Sequence, residues 1–321
     1  MGGDYYNHYV EDGFIAIGYN EITVDDLVHL PQKEKYARKI LQEMLKSRRD
    51  KINNTGYPAS QMLRFTREMK VGDIVIVPAS SSYKVTFGTI KSDIYQENKN
   101  LHIEGRCPFS KRRNVEWIKT SPRHLLAPEL QLMFNSRHII SEVNGYAPYI
   151  DNFLNDFYKK GDLTYLVLRV KQEQTLSADD FTLVSDLMEL FNEYSKENNL
   201  GLTSKDIGMK MCVQSPGDIL AFAQSMGGIA AIGLIIMFIK GGTFSINCNQ
   251  FHLSTKVPTF GENFSQIVSS VNKFLNDSRR RQTIKKLENK LDNMEIETPA
   301  SIIEMMKELG KENESDKREN N

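Results

Sequence analysis

A chain of 321 residues is long enough for two hydrophobic cores, because one core usually serves about 100 to 200 residues. Lysine and arginine number 41 and aspartate and glutamate also number 41, so no net charge draws the whole molecule onto nucleic acid or anionic lipid. The hydrophobic fraction of 40% excludes extensive disorder. Any binding to a polyanion therefore has to come from a local patch.

The three cysteines, Cys107, Cys212 and Cys248, are odd in number and far apart, which favours a reducing compartment over a disulfide framework. They form no zinc-binding pattern, and no metal or other cofactor is predicted. The first residues are acidic and tyrosine-rich instead of basic and then apolar, so no secretory signal is indicated. We expect the N-terminal domain to be cytoplasmic.

The first 143 residues are predicted to form a small, partly closed β-barrel with helices. Residues 13–19 (GFIAIGY) and 74–77 (IVIV) are typical buried strands, and three further strands are expected in KVTFGTIKSDI, LHIEGRC and NVEWIKT. Residues 31–51 have the pattern of an amphipathic helix, and SQMLRFTREM that of a second helix. The apolar side of the first helix is predicted to contain Tyr36, Ile40, Leu41, Met44 and Leu45.

A β-α-β unit is predicted over residues 161–217, after a linker at 144–160 that is rich in turn-forming residues. Its strands are LTYLVLRV and IGMKMCVQS, and its helix spans 176–194, where apolar residues repeat every three or four positions. A right-handed crossover between parallel strands is the usual arrangement for such a unit.

Residues 218–240 contain about 21 consecutive uncharged residues, close to the roughly 20 that a membrane-spanning helix needs. The segment therefore predicts either a single-pass inner-membrane helix or a core helix interrupted near Gly227 and Gly228. Small residues recur every four positions, so a second copy of this helix could approach closely and form a homo-oligomer. These residues are Ala223, Gly227 and Ala231.

Residues 241–310 are predicted to contain a β-hairpin, TFSINCNQFHLSTK, followed by three helices. The last helix is expected to begin at Thr298 and Pro299 and to end at Gly310. The tail, 311–321, has nothing to bury and is predicted to be disordered. The overall class expected from these elements is α+β.

Four blocks in residues 13–143 together resemble the PUA-like superfamily, in particular the EVE-like domains at the front of bacterial restriction and defence proteins. The blocks are GFIAIGYNEI, QMLRFTREMKVGDIVIVP, FGTIKSDI and RNVEWIKTSPRHLLAPELQLMFNSRHIISEV. The resemblance implies a barrel that holds a modified or flipped base of DNA or RNA in an aromatic pocket. It does not extend to the C-terminal part, and the fold also serves without nucleic acid.

Transferred to this chain, the resemblance implies a base pocket with two aromatic rings and three hydrogen-bonding side chains. A ring face can stack on any base while polar groups read the edge of the base. The same rings could instead belong to the barrel core. The candidates are Tyr19, Ser60, Gln61, Arg64 and Trp117.

A local excess of positive charge lies in residues 106–123, where only Glu116 is acidic. This pattern beside Trp117 is typical of a surface that contacts phosphates, although a run such as SKRRN is also common in solvated turns. The candidate phosphate ligands are Arg106, Lys111, Arg112, Arg113, Lys119 and Arg123.

No catalytic motif is present: the sequence has no phosphate-binding loop, HExxH, GxSxG or CxxC. We therefore expect a non-catalytic sensor in which the first domain binds a modified or flipped base, or a nucleotide-like ligand. The C-terminal part would signal by self-association or membrane contact, in antiviral defence if the resemblance extends that far. The alternatives are a scaffold that binds protein, membrane-anchored or soluble, and a divergent nuclease built around Lys70.

Overall fold

The computed structural model describes residues 3–48, 54–99, 101, 103, 105–136, 138–172, 177–211, 217–240 and 263–305. The chain divides into two compact units, residues 1–150 and 151–321. The division falls inside the segment predicted as a linker, which contains a helix and a strand, Ala147–Leu154 and Phe157–Lys160. Both units combine helices with antiparallel sheet, so the mixed α+β class is confirmed.

The N-terminal unit is built on one curled sheet with helices before, within and after it. Its strands are β1 (Phe14–Ile17), β2 (Ile74–Pro78), β3 (Lys84–Ile90), β4 (Tyr95–Gln96) and β5 (Lys111–Pro122). Its helices are α1 (Tyr6–Asp12), α2 (Val24–Val28), α3 (Glu34–Arg48), α4 (Gly56–Leu63) and α5 (Pro128–Leu132), and α6 (Ala147–Leu154) crosses into the second unit.

The long strand β5 organises this sheet, whose order is β1-β5-β3-β2, with β4 also paired to β5. The first four residues of β5 pair with β1, and its later residues pair with β3, all antiparallel. The N-terminal part of β5 thus pairs with β1 and the rest of β5 pairs with β3. This arrangement curls the sheet, as the prediction of a partly closed barrel led us to expect. The prediction of a strand in LHIEGRC, residues 101–107, is wrong. The described residues of this segment lie mostly in turns and bends, and Gly105 has φ +80°.

Gly88 marks an irregularity in the β3–β5 pairing, where the register shifts between Phe87 and Gly88. A Cβ atom at Gly88 would lie 2.5 Å from Cγ1 of Val115 and 2.6 Å from Cε3 of Trp117. The indole ring of Trp117 therefore packs against the backbone of β3 at Gly88, where there is no side chain. Glycine is needed here for close approach.

The core of the N-terminal unit lies between the sheet and helices α3 and α4. Helix α3 turns Ala37, Leu41 and Leu45 inward, which is one residue in each turn. The predicted apolar side was too wide, because Tyr36 is 57% and Ile40 is 38% exposed. The helix therefore keeps an exposed face beside its buried stripe.

The C-terminal unit has one four-stranded sheet and helices that share its core. The strands are β6 (Phe157–Lys160), β7 (Leu163–Val170), β8 (Gly208–Met211) and β9 (Gly217–Ala223). The helices are α7 (Leu183–Glu197), α8 (Met226–Ile239), α9 (Asn263–Leu275) and α10 (Arg281–Asn293), and residues 300–305 are also helical.

The predicted β-α-β unit is present in a split form. The sheet order is β6-β7-β9-β8, and β9 pairs antiparallel with both β7 and β8. Strands β7 and β8 consequently run in the same direction, with α7 between them in sequence, but β9 is inserted between them in the sheet. The two strands are therefore parallel, as expected, but they are not neighbours in the sheet.

The apolar segment 218–240 is not one helix. Its first part is strand β9, and only the 14 residues of α8 are helical, starting where Ser225 Oγ accepts a hydrogen bond of 3.1 Å from Gly228 N. Fourteen residues span about 21 Å, short of the roughly 30 Å hydrocarbon core. Among the residues that the structure describes, no helix is both long and apolar enough to cross a membrane. The single-span prediction is therefore corrected.

The small-residue face predicted for self-association is interrupted in the same way. Ala223 lies at the end of β9, Gly227 lies in the first turn of α8, and Ala231 is completely buried. At Gly227 an added Cβ would meet Ile267 of α9 at 3.4 Å, so the chain's own helix covers this side. The three residues do not form one exposed helical face. The predicted hairpin at 243–256 and the tail at 311–321 lie outside the described residues.

Candidate ligand-binding cleft

A cleft of about 380 Å³ opens on the helical side of the N-terminal unit. This volume is within the range typical of small-molecule pockets, roughly 300 to 1,000 Å³. Three of the predicted base-binding residues, Ser60, Gln61 and Arg64, line it together. The complete lining is Arg38, Asn54, Gly56, Tyr57, Ser60, Gln61, Arg64 and His138.

Helix α4 supplies most of the cleft, and its start and end are both specialised. At the start, Asn54 Oδ1 accepts a hydrogen bond of 3.1 Å from Gly56 N, and Pro58 occupies the first turn, where a missing N–H costs little. At the end, the helix widens into a π-helical turn, Arg64–Glu68, closed by the hydrogen bond from Met69 N to Arg64 O at 3.1 Å. Such turns are frequent at functional sites, and this one carries Arg64.

His138 lines one side of the cleft, and α4 holds the two residues that follow it by side-chain hydrogen bonds. Ile139 N donates to Tyr57 Oη at 2.8 Å, and Ile140 N donates to Gln61 Oε1 at 2.7 Å. The rings of Tyr57 and His138 stack with centroids 5.8 Å apart and planes inclined by 28°. Because the imidazole is exposed, its outer face can extend the stack onto a planar ligand.

Gln61 is a buried polar group whose hydrogen-bonding capacity is only partly used. Its side chain is 3% exposed, and its oxygen is engaged by Ile140 N. The amide nitrogen makes no hydrogen bond to any residue that the structure describes, although the side chain lines the cleft. This nitrogen keeps some exposure to solvent in the open cleft, so it can donate to an acceptor atom on a ligand.

The other two residues predicted for the base pocket, Tyr19 and Trp117, are outside the cleft lining. Trp117 is half-buried against the core, and its Nε1 donates to Tyr9 O at 2.7 Å. Tyr19 has a left-handed backbone, φ +64°, and its carbonyl accepts from Ile22 N at 3.0 Å. The five candidates therefore do not converge on one pocket, and the two rings pack against the core of the unit.

Two of the six predicted phosphate ligands are buried structural groups. Lys111 is 0% exposed, and its Nζ donates to Tyr19 O at 2.7 Å and to Ile22 O at 2.8 Å. Arg113 is 1% exposed, and its guanidinium donates to three backbone carbonyls at 3.0 to 3.1 Å. Neither side chain is accessible to a phosphate, because β5 turns alternate residues into the core.

Of the four other basic candidates in this segment, at least two also make contacts within the protein. Arg112 donates to Phe109 O at 3.0 Å, and its guanidinium lies 4.1 Å from the centre of the Phe14 ring. Arg123 donates to Gln131 O at 3.0 Å. Arg106 is exposed, and Lys119 is half-buried. The charged run in the sequence thus does not become one continuous basic surface.

Burial lowers the pKa of Lys111 to about 8. The unfolded chain keeps this proton up to about pH 10.4, so between these values the unfolded state binds more protons and stability rises with pH. We expect the unfolding free energy of the parent relative to Lys111→Met to increase by up to about 3 kcal/mol from pH 8 to 10.5. Urea unfolding of both proteins at several pH values measures this difference, and a flat difference contradicts the assignment.

Around Lys70, the residue proposed for a divergent nuclease, the structure shows a turn hydrogen bond and a surface ion pair. The carboxylate of Asp73 accepts a hydrogen bond of 2.8 Å from Lys70 N, and Glu68 lies 3.7 Å from Arg64. Within the described ranges, no group of three or more histidine, cysteine, aspartate or glutamate side chains could hold a metal ion.

Sequence reasoning missed Arg38, Tyr57 and His138. Arg38 lies on a different helix, α3, Tyr57 lies one turn before Ser60 on α4, and His138 comes from a segment after β5. The available signal was the sequence NNTGYPAS, a turn with an aromatic residue leading into a helix. That signal does not show which distant side chains will face it.

The model of a family described as a domain of unknown function (DUF8426) matches residues 2–136 of the chain. The matched range includes every residue that lines the cleft except His138. No curated protein and no solved structure matches the chain.

Proposed function

We propose that the N-terminal unit is a non-catalytic binding module whose cleft takes a planar heteroaromatic group. The group would be a modified or extruded base of DNA or RNA, or the base of a nucleotide-like ligand. The observation that carries this proposal is the convergence, in one cleft, of the Tyr57–His138 stack with the unpaired amide nitrogen of Gln61. Stacking provides affinity for any base, and the amide can select one with an acceptor at its edge.

Replacing Tyr57 by alanine should weaken binding of the base-containing ligand roughly 5- to 150-fold, because base–aromatic stacking contributes about 1 to 3 kcal/mol. Calorimetric titration of the full chain with nucleotides, and with oligonucleotides carrying a modified or unpaired base, measures the effect. The matched control is Tyr36→Ala, since Tyr36 is an exposed tyrosine on α3 outside the cleft lining. Equal binding by the two variants would eliminate this cleft as the base site.

In the same proposal, the protein is a sensor, and the C-terminal unit signals when a ligand occupies the cleft. The PUA/EVE resemblance implies that this signalling takes place in antiviral defence. The support for this step is the division of the chain into two compact units, with the candidate ligand site in the first. We propose self-association as the readout, through a surface of the C-terminal unit other than the face of α8 that α9 covers. Sedimentation velocity of the full chain, with and without saturating ligand, tests it: an unchanged sedimentation coefficient would remove the relay by self-association.

A further inference from the structure

The charged side chains that line the cleft are two arginines, Arg38 from α3 and Arg64 from the π-helical turn. Among the described residues, no aspartate or glutamate lines the cleft. A concave site with one sign of charge concentrates ligands of the opposite sign, because the surrounding protein screens the field less than water does. The cleft is therefore electrostatically suited to an anion, beyond what stacking on a base requires.

The present contacts of the Arg64 guanidinium are weak, so it can form a stronger hydrogen bond to a ligand. Its Nη1 donates to Ile140 O at 3.3 Å, and its Nε lies 3.7 Å from Oε2 of Glu68, near the outer limit of an ion pair. The Glu68 side chain is 57% exposed, and an ion pair in that setting contributes little. A phosphate oxygen can replace this carboxylate and form a shorter, charge-assisted hydrogen bond.

Arg38 is still less engaged. The residue is exposed, and its hydrogen bond from Nη2 to Gly56 O is 3.5 Å long. Gly56 is the first residue of α4, so the guanidinium is held beside the positive end of that helix. A planar guanidinium has five N–H donors in a fixed fork, and such a fork matches the oxygens of a phosphate.

We infer that the cleft holds a phosphate group between Arg38 and Arg64, so that its ligand is a nucleotide and not a bare base or nucleoside. The inference rests on the proposed function and names the anionic part of the same ligand. The phosphate can belong to a free nucleotide or to the backbone beside an extruded base, because both present the same oxygens to the two arginines.

The test is calorimetric titration of the full chain with a nucleoside, its 5′-monophosphate, inorganic phosphate and a short single-stranded oligonucleotide. The monophosphate should bind at least tenfold more tightly than the nucleoside, since one charge-assisted hydrogen bond contributes about 1.5 to 3 kcal/mol. Arg38→Gln and Arg64→Gln should each lower monophosphate affinity by roughly tenfold, and by a larger factor than they lower nucleoside affinity. Glu68→Gln should raise monophosphate affinity, because it removes the competing carboxylate.

Lys39→Gln is the matched control, since Lys39 follows Arg38 on the same helix, is exposed and is not part of the cleft lining. Equal affinities for nucleoside and monophosphate would overturn the phosphate site while leaving the base site intact. Binding of inorganic phosphate that the base does not improve would support the phosphate site and refute the proposed function. Tighter binding of the oligonucleotide than of the monophosphate identifies the strand backbone as the source of the phosphate, and the reverse order identifies a free nucleotide.

Discussion

Replacing Arg113 by methionine should destabilise the N-terminal unit by about 3 to 5 kcal/mol. The guanidinium donates to Phe65 O, Thr66 O and Ser92 O, and methionine would leave these three carbonyls without that donor in the interior of the unit. Trp117 is the only tryptophan of the chain and lies in this unit, so its fluorescence during urea unfolding reports the loss.

The same substitution at Arg106 is the control, because that arginine is exposed and should change stability by no more than about 0.5 kcal/mol. Arg113→Lys should fall between the two, since an ammonium group cannot match the fork that reaches three carbonyls. Two of these carbonyls belong to the π-helical turn that carries Arg64, so ligand affinity should fall together with stability. A loss of less than 1 kcal/mol for Arg113→Met would show that the buried guanidinium does not hold this turn.

Replacing Ile232 by lysine should cost the C-terminal unit about 5 kcal/mol or more, enough to prevent its folding. Ile232 is completely buried in α8, and the helix contributes to the same core as β7, β9, α7 and α10. A lysine here would place an unpaired charge among apolar side chains. Loss of helical circular dichroism and rapid proteolysis within residues 151–321 would report the failure.

Two controls separate the charge from the mere change of residue. Ile232→Val removes one methylene group and should cost only about 0.5 to 1.5 kcal/mol. Leu200→Lys introduces the same charge at a position that is 37% exposed and should be tolerated. If Ile232→Lys behaved like Leu200→Lys, α8 could not be the buried core helix described here.

The position of positive charge illustrates why the candidate site was only partly predictable. The run of basic residues at 106–123 is conspicuous in sequence, yet Lys111 and Arg113 are buried because the alternation of β5 turns them inward. Arg38 has no unusual neighbours in sequence and lines the cleft because α3 passes beside the start of α4. Charge density along a chain does not specify which face of an element reaches solvent.

Local periodicity predicted the individual elements well. Strand β1 lies within the predicted 13–19, β2 extends the predicted 74–77 by one residue, β3 lies within the predicted 84–94, and α3 lies within the predicted 31–51. In the C-terminal unit, β7 occurs as predicted, α7 overlaps the predicted helix 176–194, and α9 and α10 lie in the region 241–310 where helices were expected. These predictions succeeded because each helix or strand has to bury one apolar face, and the spacing of its own apolar residues shows where that face is.

By itself, the sequence determined which segments leave water. The resemblance to PUA-like domains pointed to Ser60, Gln61 and Arg64, which lie on α4 and on the π-helical turn that follows it. Tertiary structure decided the rest: β9 inserts between β7 and β8, the apolar segment 218–240 becomes a strand and a core helix, and His138 reaches the cleft lining. The physical reason is that apolarity fixes only the removal of a segment from water. Which neighbours replace that water depends on residues far away in the chain.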